Sequence, residues 1–126
     1  MRLEDFTRLY DFAFSFRCTL QDNLYSSMVS FHEKTTDERF AELLPHINNM
    51  LEWLDSNVDS IRLQVIEDFP QDANMDEFNA CWIVSFSFIF KLDGTLCIQI
   101  MYGDETGCYI GANVKNKKVC EVWLIS

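Results

Sequence analysis

Residues 88–96 read FIFKLDGTL, and the register of the turn inside them decides how the C-terminal third folds. Upstream, Phe86, Phe88 and Phe90 alternate with Ser87 and Ile89; downstream, Leu96, Ile98, Ile100 and Tyr102 alternate with Cys97, Gln99 and Met101. Period-two alternation marks strands with one buried face. A two-residue Asp93-Gly94 loop pairs Phe90 with Cys97 and Phe88 with Gln99, which mixes the faces. A three-residue Leu92-Asp93-Gly94 loop pairs Phe90 with Leu96, Phe88 with Ile98 and Phe86 with Ile100, and leaves one face wholly apolar. It also puts Gly94 where a type I turn followed by a bulge needs positive φ. The stretch is predicted to be a β-hairpin.

The same letters touch a catalytic motif. Phosphatases of the haloacid dehalogenase type carry D-x-D-G-T after a strand, with the first carboxylate attacking phosphorus and the second handling the leaving group's proton. Here Lys91 stands in the first place, and an ammonium cannot accept a phosphoryl group as a carboxylate does. Only 30 residues follow Leu96, too few for the βα units such a domain needs. The phosphotransferase reading is set aside.

Downstream, Gly103-Asp104-Glu105-Thr106-Gly107 and Asn116-Lys117 punctuate two further apolar stretches, Cys108 to Val114 and Val119 to Ile125. The last third therefore reads as a four-stranded antiparallel meander. Gly107 and Gly111 either mark a bulge or let a ligand approach the backbone.

Upstream, Thr35 and Glu38 have capping-box spacing, followed by Phe40, Leu43, Leu44, Ile47, Leu51 and Leu54 on one helical face. Pro45 lies within that run and predicts a kink or a break there. A second pattern, Val58, Ile61, Val65, Ile66 and Phe69, starts near Asn57 and stops at Pro70, so the centre holds one or two helices. In the N-terminal third, Phe12, Phe14, Phe16, Cys18 and Leu20 alternate, Asp22-Asn23 interrupts, and Tyr25, Val29 and Phe31 resume. That predicts a β-hairpin. The alternative is an N-terminal helix through Phe6, Leu9, Tyr10, Ala13, Leu20, Leu24 and Met28. The fold class is α+β in a single domain, residues 1–126.

At 126 residues and 48% hydrophobic content, the chain supports one ordinary core. Its first residues hold acids and no apolar run with a cleavage site, and its longest apolar stretch falls short of a membrane span, so a cytoplasmic protein is expected. Five cysteines, at 18, 81, 97, 108 and 120, have wide spacings and no C-x-x-C, and read as reduced core residues. With two histidines, His32 and His46, and no compact ligand cluster, no metal site, cofactor site or catalytic set is assigned. The enzyme question leans to no.

Charge is the sequence's most uneven property. Residues 35–80 hold two basic and eleven acidic side chains, a net of −9 out of −10 for the chain. Such a field repels phosphate backbones and anionic lipid, which argues against nucleic acid and membrane, and attracts a basic protein. Glu67, Asp68, Asp72, Asp76 and Glu77 gather around the Phe69-Pro70 break and are the expected partner-binding residues.

The steps Asp76-Glu77-Phe78, then strand, Asp93-Gly94 and strand, make residues 46–114 resemble small bacterial domains of unknown function of the toxin-immunity type. The sequence departs from their aromatic-Gly-His loop, reading Thr106-Gly107-Cys108-Tyr109 with no histidine. The resemblance implies an immunity protein that neutralises a basic toxin or nuclease by occluding its site. Two other readings stand beside it. One is a small-molecule-binding or hydrolytic enzyme of cone-shaped α+β type, with His46, Asp104 and Tyr109 as its polar groups. The other is a subunit of a larger assembly, and the C-terminal strand VCEVWLIS offers an apolar edge for a homo-oligomer.

Overall fold

The computed structural model describes residues 1–125, and Ser126, the last letter of VCEVWLIS, lies outside them. The 88–96 hairpin has the three-residue loop. Strands β4 (Trp82–Phe90) and β5 (Leu96–Asp104) pair Phe90 with Leu96, Phe88 with Ile98 and Phe86 with Ile100. Lys91 and Thr95 close the loop: the Lys91 amide donates to the Thr95 carbonyl and the Gly94 amide to the Lys91 carbonyl, both at 2.9 Å. Gly94 takes φ +85°, the conformation its position requires.

The meander continues through β6 (Gly107–Lys115) and β7 (Lys118–Leu124). Asn116 and Lys117 form the intervening turn with φ of 51° and 63°, the two left-handed residues of a tight hairpin. The N-terminal third is also β. Strands β2 (Ala13–Leu20) and β3 (Asn23–Phe31) form the expected hairpin around Gln21 and Asp22, so the helical alternative is excluded. An additional strand, β1 (Phe6–Tyr10), pairs with β2 and is preceded by one 3-10 turn at Leu3–Asp5.

Hairpin and meander are one body. All seven strands make a single sheet in the order β1 to β7, antiparallel except where β3 and β4 run parallel. A parallel junction needs a long crossover, and the helices supply it. Helix α1 (Asp37–Glu67) and the short α2 (Met75–Asn79) lie between β3 and β4 in sequence. Phe40, Ile47, Leu54, Ile61 and Val65 of α1 are fully buried against the alternating apolar face of the sheet, with Phe88, Ile98 and Ile100 at its centre. The opposite face presents Ser15, Ser26, Ser85, Ser87, Gln99 and Asn113, the polar half of each alternation.

Two details of α1 correct the sequence reading. The cap is Thr36, whose hydroxyl accepts the Arg39 amide at 3.1 Å, while Thr35 is buried and donates to the Glu33 carbonyl. The interruption falls at Asn57 (φ −126°, ψ 16°), where the second apolar pattern starts, and not at Pro45. The Asn57 side-chain amide donates to the Trp53 carbonyl at 2.7 Å and so competes with the main-chain ladder. Pro45 and Ala41 sit on the exposed side, where water can satisfy the carbonyl that proline leaves free.

The cysteines are less uniform than expected. Cys81 and Cys97 are buried, Cys18 is half-buried, but Cys108 and Cys120 are exposed, and none of the five is in a disulfide. Among the described residues no helix is long and apolar enough to cross a membrane.

Candidate functional site

The acidic middle of the chain is carried by the helical layer alone. Its eleven carboxylates lie in α1, in α2 and in the loop between them, and all eleven are exposed. The cause is local. The apolar stripe of α1 must face the sheet, which sends Glu38, Glu42, Glu52 and Asp59 to the other side, while Asp55, exposed on the flank, accepts the Gln21 amide of the β2–β3 turn at 2.7 Å. Only two of the eleven are ion-paired among the described residues, Asp37 with Arg8 at 2.6 Å and Glu42 with Arg39 at 3.0 Å.

Glu67, Asp68, Asp72, Asp76 and Glu77 run from the last turn of α1 to the first turn of α2, and each is exposed. Asp76 and Glu77 are held in place because the Asn74 side chain accepts both their amides, at 2.8 and 3.2 Å, and starts α2. Two anchors, the buried Phe78 and the half-buried Arg62, fix the segment to the sheet. Phe78 packs edge-on against Tyr102, and Arg62 stacks over Phe78 while donating to the Phe78 and Cys81 carbonyls. The five carboxylates therefore stand on a rigid platform with no cation bound to any of them among the described residues.

The three polar groups of the small-molecule reading do not converge. His46 borders an open depression of about 440 Å3 with Met50, Asp93, Thr95 and Lys117. Asp104 and Tyr109 line a separate one of about 270 Å3 with Glu77, Cys81 and Cys108. Both members of the second pair have structural tasks. Asp104 accepts the Thr106 hydroxyl and amide, contacts that hold its carboxyl below the ordinary carboxylate range. The Tyr109 hydroxyl accepts the Asn74 amide at 2.6 Å and ties the acidic loop to β6.

Gly111 is roofed by the Trp123 indole, which fills the space a ligand would need, and Gly107 sits at a turn with φ +138°. No group of three or more metal-ligating side chains occurs among the described residues. Strand β7 is a sheet edge, as the C-terminal pattern implied, though the Gln64 side chain already accepts its Val119 amide at 2.8 Å.

Sequence reasoning missed the junction of β3 and β4. The Tyr25 and Ser27 hydroxyls donate to the Ile83 and Phe86 carbonyls across it, 58 and 59 residues away in sequence. A serine and a tyrosine in an alternating strand carry no signal of such distant partners.

The chain matches no protein-family model, no curated protein and no solved structure.

Proposed function

We propose that this protein is an acidic protein-binding module whose helical layer docks a basic surface on a partner. The observation that carries this reading is the set of eleven exposed carboxylates on one layer, nine of them without an ion pair among the described residues. Uncompensated charge of one sign steers an oppositely charged protein and penalises a wrong partner, so it serves recognition more than stability. Glu67, Asp68, Asp72, Asp76 and Glu77 form the contact, since they sit at the junction between elements and on anchored backbone.

The finer form of the proposal is an immunity protein that covers the basic site of a toxin or nuclease. The short steps Asp76-Glu77-Phe78 and Asp93-Gly94 support it, now seen as α2 leading into β4 and as the β4–β5 turn. A bound basic toxin would place its own cationic site over these carboxylates and lose access to its substrate.

Capture of partners from the source organism at low ionic strength tests the proposal. A basic protein should be recovered and released by salt, and inhibition of its toxic or nucleolytic activity by the pure chain would support the immunity form. Recovery of only acidic or neutral proteins, insensitive to salt, would contradict the reading.

A further inference from the structure

We propose that the lysine-bearing end of the sheet docks the Glu67–Glu77 segment of a second copy of this chain, head to tail. The proposal rests on the protein-binding reading above and adds a regulation of that surface: the copy that occupies it keeps a basic partner off.

The cations of this chain are not equally free. Arg2, Arg8, Lys34 and Arg39 are ion-paired, and Arg62 is held by the Phe78 and Cys81 carbonyls. Arg17 stands apart on β2. The remaining four, Lys91, Lys115, Lys117 and Lys118, have no ion pair among the described residues, and all but the half-buried Lys115 are exposed. They belong to two neighbouring turns. Lys91 opens the β4–β5 loop, Lys117 lies in the β6–β7 turn, and Lys115 and Lys118 pair across the base of that turn. Both turns border the depression of about 440 Å3, Asp93 and Thr95 from the first and Lys117 from the second.

The carboxylates at this end do not cancel the lysines. Asp93 accepts the Thr95 amide at 2.9 Å, and Thr95, followed by the Lys115 and Lys91 ammoniums, holds its carboxyl below the ordinary range. Glu33 borders a second depression together with Lys34, Arg39 and Lys91. In the first two turns of α1, Asp37 and Glu42 are already ion-paired. Glu38 follows Asp37, which is bound to Arg8 of β1, the strand at the opposite edge of the sheet from β7.

Topology holds the acidic and the lysine-bearing surfaces apart. Strand β4 starts at Trp82, just after α2, and ends at Phe90, and β5, β6 and β7 alternate with it in direction. The lysine turns therefore lie at one end of these strands. At the other end lie α2 and the acidic loop, tied down where Tyr109 accepts the Asn74 amide. The nine residues of β4 set the two ends about 30 Å apart. Within one molecule the five carboxylates and the four lysines cannot meet, whereas between two molecules they can. The contact is heterologous, and each copy keeps one unused end.

Net charge opposes this contact, since two chains of −10 repel. That repulsion acts over the whole separation and is screened within about 10 Å at about 0.1 M salt, whereas lysine and carboxylate meet at contact distance. Association is expected at about 0.1 M salt and should be lost at about 1 M, where the screening length is about 3 Å.

The test is sedimentation of the full chain at those two salt concentrations, with two charge-reversed variants. Lys91→Glu with Lys118→Glu removes the lysine end, and Glu67→Lys with Asp68→Lys removes the acidic one. All four positions are exposed, so both variants should unfold at the wild-type midpoint. Wild type should exceed its monomer mass increasingly with concentration, at the lower salt only. Each variant alone should associate at least about tenfold more weakly, because like charges then face each other. Mixed, the two should form a one-to-one pair and nothing larger, since the first keeps an intact acidic end and the second an intact lysine end. Wild type that stays monomeric, a variant that associates as wild type does, a mixture no more associated than its parts, or association that survives high salt would each overturn the proposal. Retention of a nucleic acid or a foreign acidic protein by the lysine end would not rescue it. Those results leave the docking of a basic partner standing, because its own test is capture of that partner. Failure of the docking reading looks different: nothing basic is captured, while the salt-sensitive pairing of the two variants persists.

Discussion

The Arg62 guanidinium lies 4.3 Å above the Phe78 ring and donates to the Phe78 and Cys81 carbonyls at 2.7 and 2.9 Å. One side chain of α1 thus clamps α2 and the entrance to β4. Hydrogen bonds from a charged donor contribute about 1.5–3 kcal/mol each, and carbonyls stripped of a donor carry a desolvation penalty. Arg62→Met, which keeps most of the apolar stem, should destabilise the domain by about 2–4 kcal/mol. Denaturant midpoints measure it, and a loss below about 1 kcal/mol would mean the clamp is not rigid.

Gly94→Ala tests the turn that organises the meander. An added Cβ meets nothing within 4 Å, so only the φ of +85° opposes it. The expected loss is about 1–2 kcal/mol, the strain of an L-residue in the left-handed region. Gly94→Asn should lose less, since asparagine tolerates that conformation better. Equal midpoints for wild type and the alanine variant would contradict the bulged turn.

Alkaline pH should weaken the fold partly through Cys18. Burial, and then the Asp55 carboxylate, push its thiol from 9.0 up to about 11. Between those values the unfolded chain has released the proton while the native state holds it. The unfolded state then binds fewer protons, so stability falls as pH rises from 9.0 through about 11. Burial raises the thiols of Cys81 and Cys97 as well, which adds to the fall. Cys18→Ala should flatten the curve over that window, and parallel curves for the two proteins would contradict the assignment.

Thiol labelling of the native protein should be biphasic. Cys108 and Cys120 are exposed and should react first, whereas Cys97, 1% exposed, should wait for unfolding. Reductant should leave the denaturation midpoint unchanged, because no cysteine pair holds the fold together. A large drop on reduction would contradict it.

How far the sequence foretold these features depends on whether a residue's partners are near it in the chain. The Phe90–Leu96 register was legible because a slip by one residue turns a whole apolar face outward. Strand β1 was not, since of FTRLY only Phe6 is buried and nothing alternates. Pro45 attracted the expected kink because its missing amide is visible in sequence, whereas Asn57 bends α1 through a side-chain contact to Trp53. The parallel junction escaped notice because nothing in LYSSMVSF or WIVSFSF states that they are neighbours. The acidic cluster was legible as to exposure, since carboxylates between apolar helix positions have nowhere else to go. Its anchoring by Asn74, Tyr109 and Arg62 was not.

The central claim is that the carboxylates from Glu67 to Glu77 recognise a basic partner. The most direct measurement is the association rate of a captured partner with wild type and with Glu67→Lys combined with Asp68→Lys, across a range of salt concentrations. Both residues are exposed, so the reversed protein should unfold at the wild-type midpoint. If the carboxylates steer the encounter, the association rate of wild type should fall steeply with salt, since the screening length shrinks to about 8 Å at physiological ionic strength. The reversed variant should associate at least tenfold or so more slowly at low salt, with a flattened salt dependence. The same rate and the same salt slope for both proteins would contradict the account and leave the acidic layer as a solvated face.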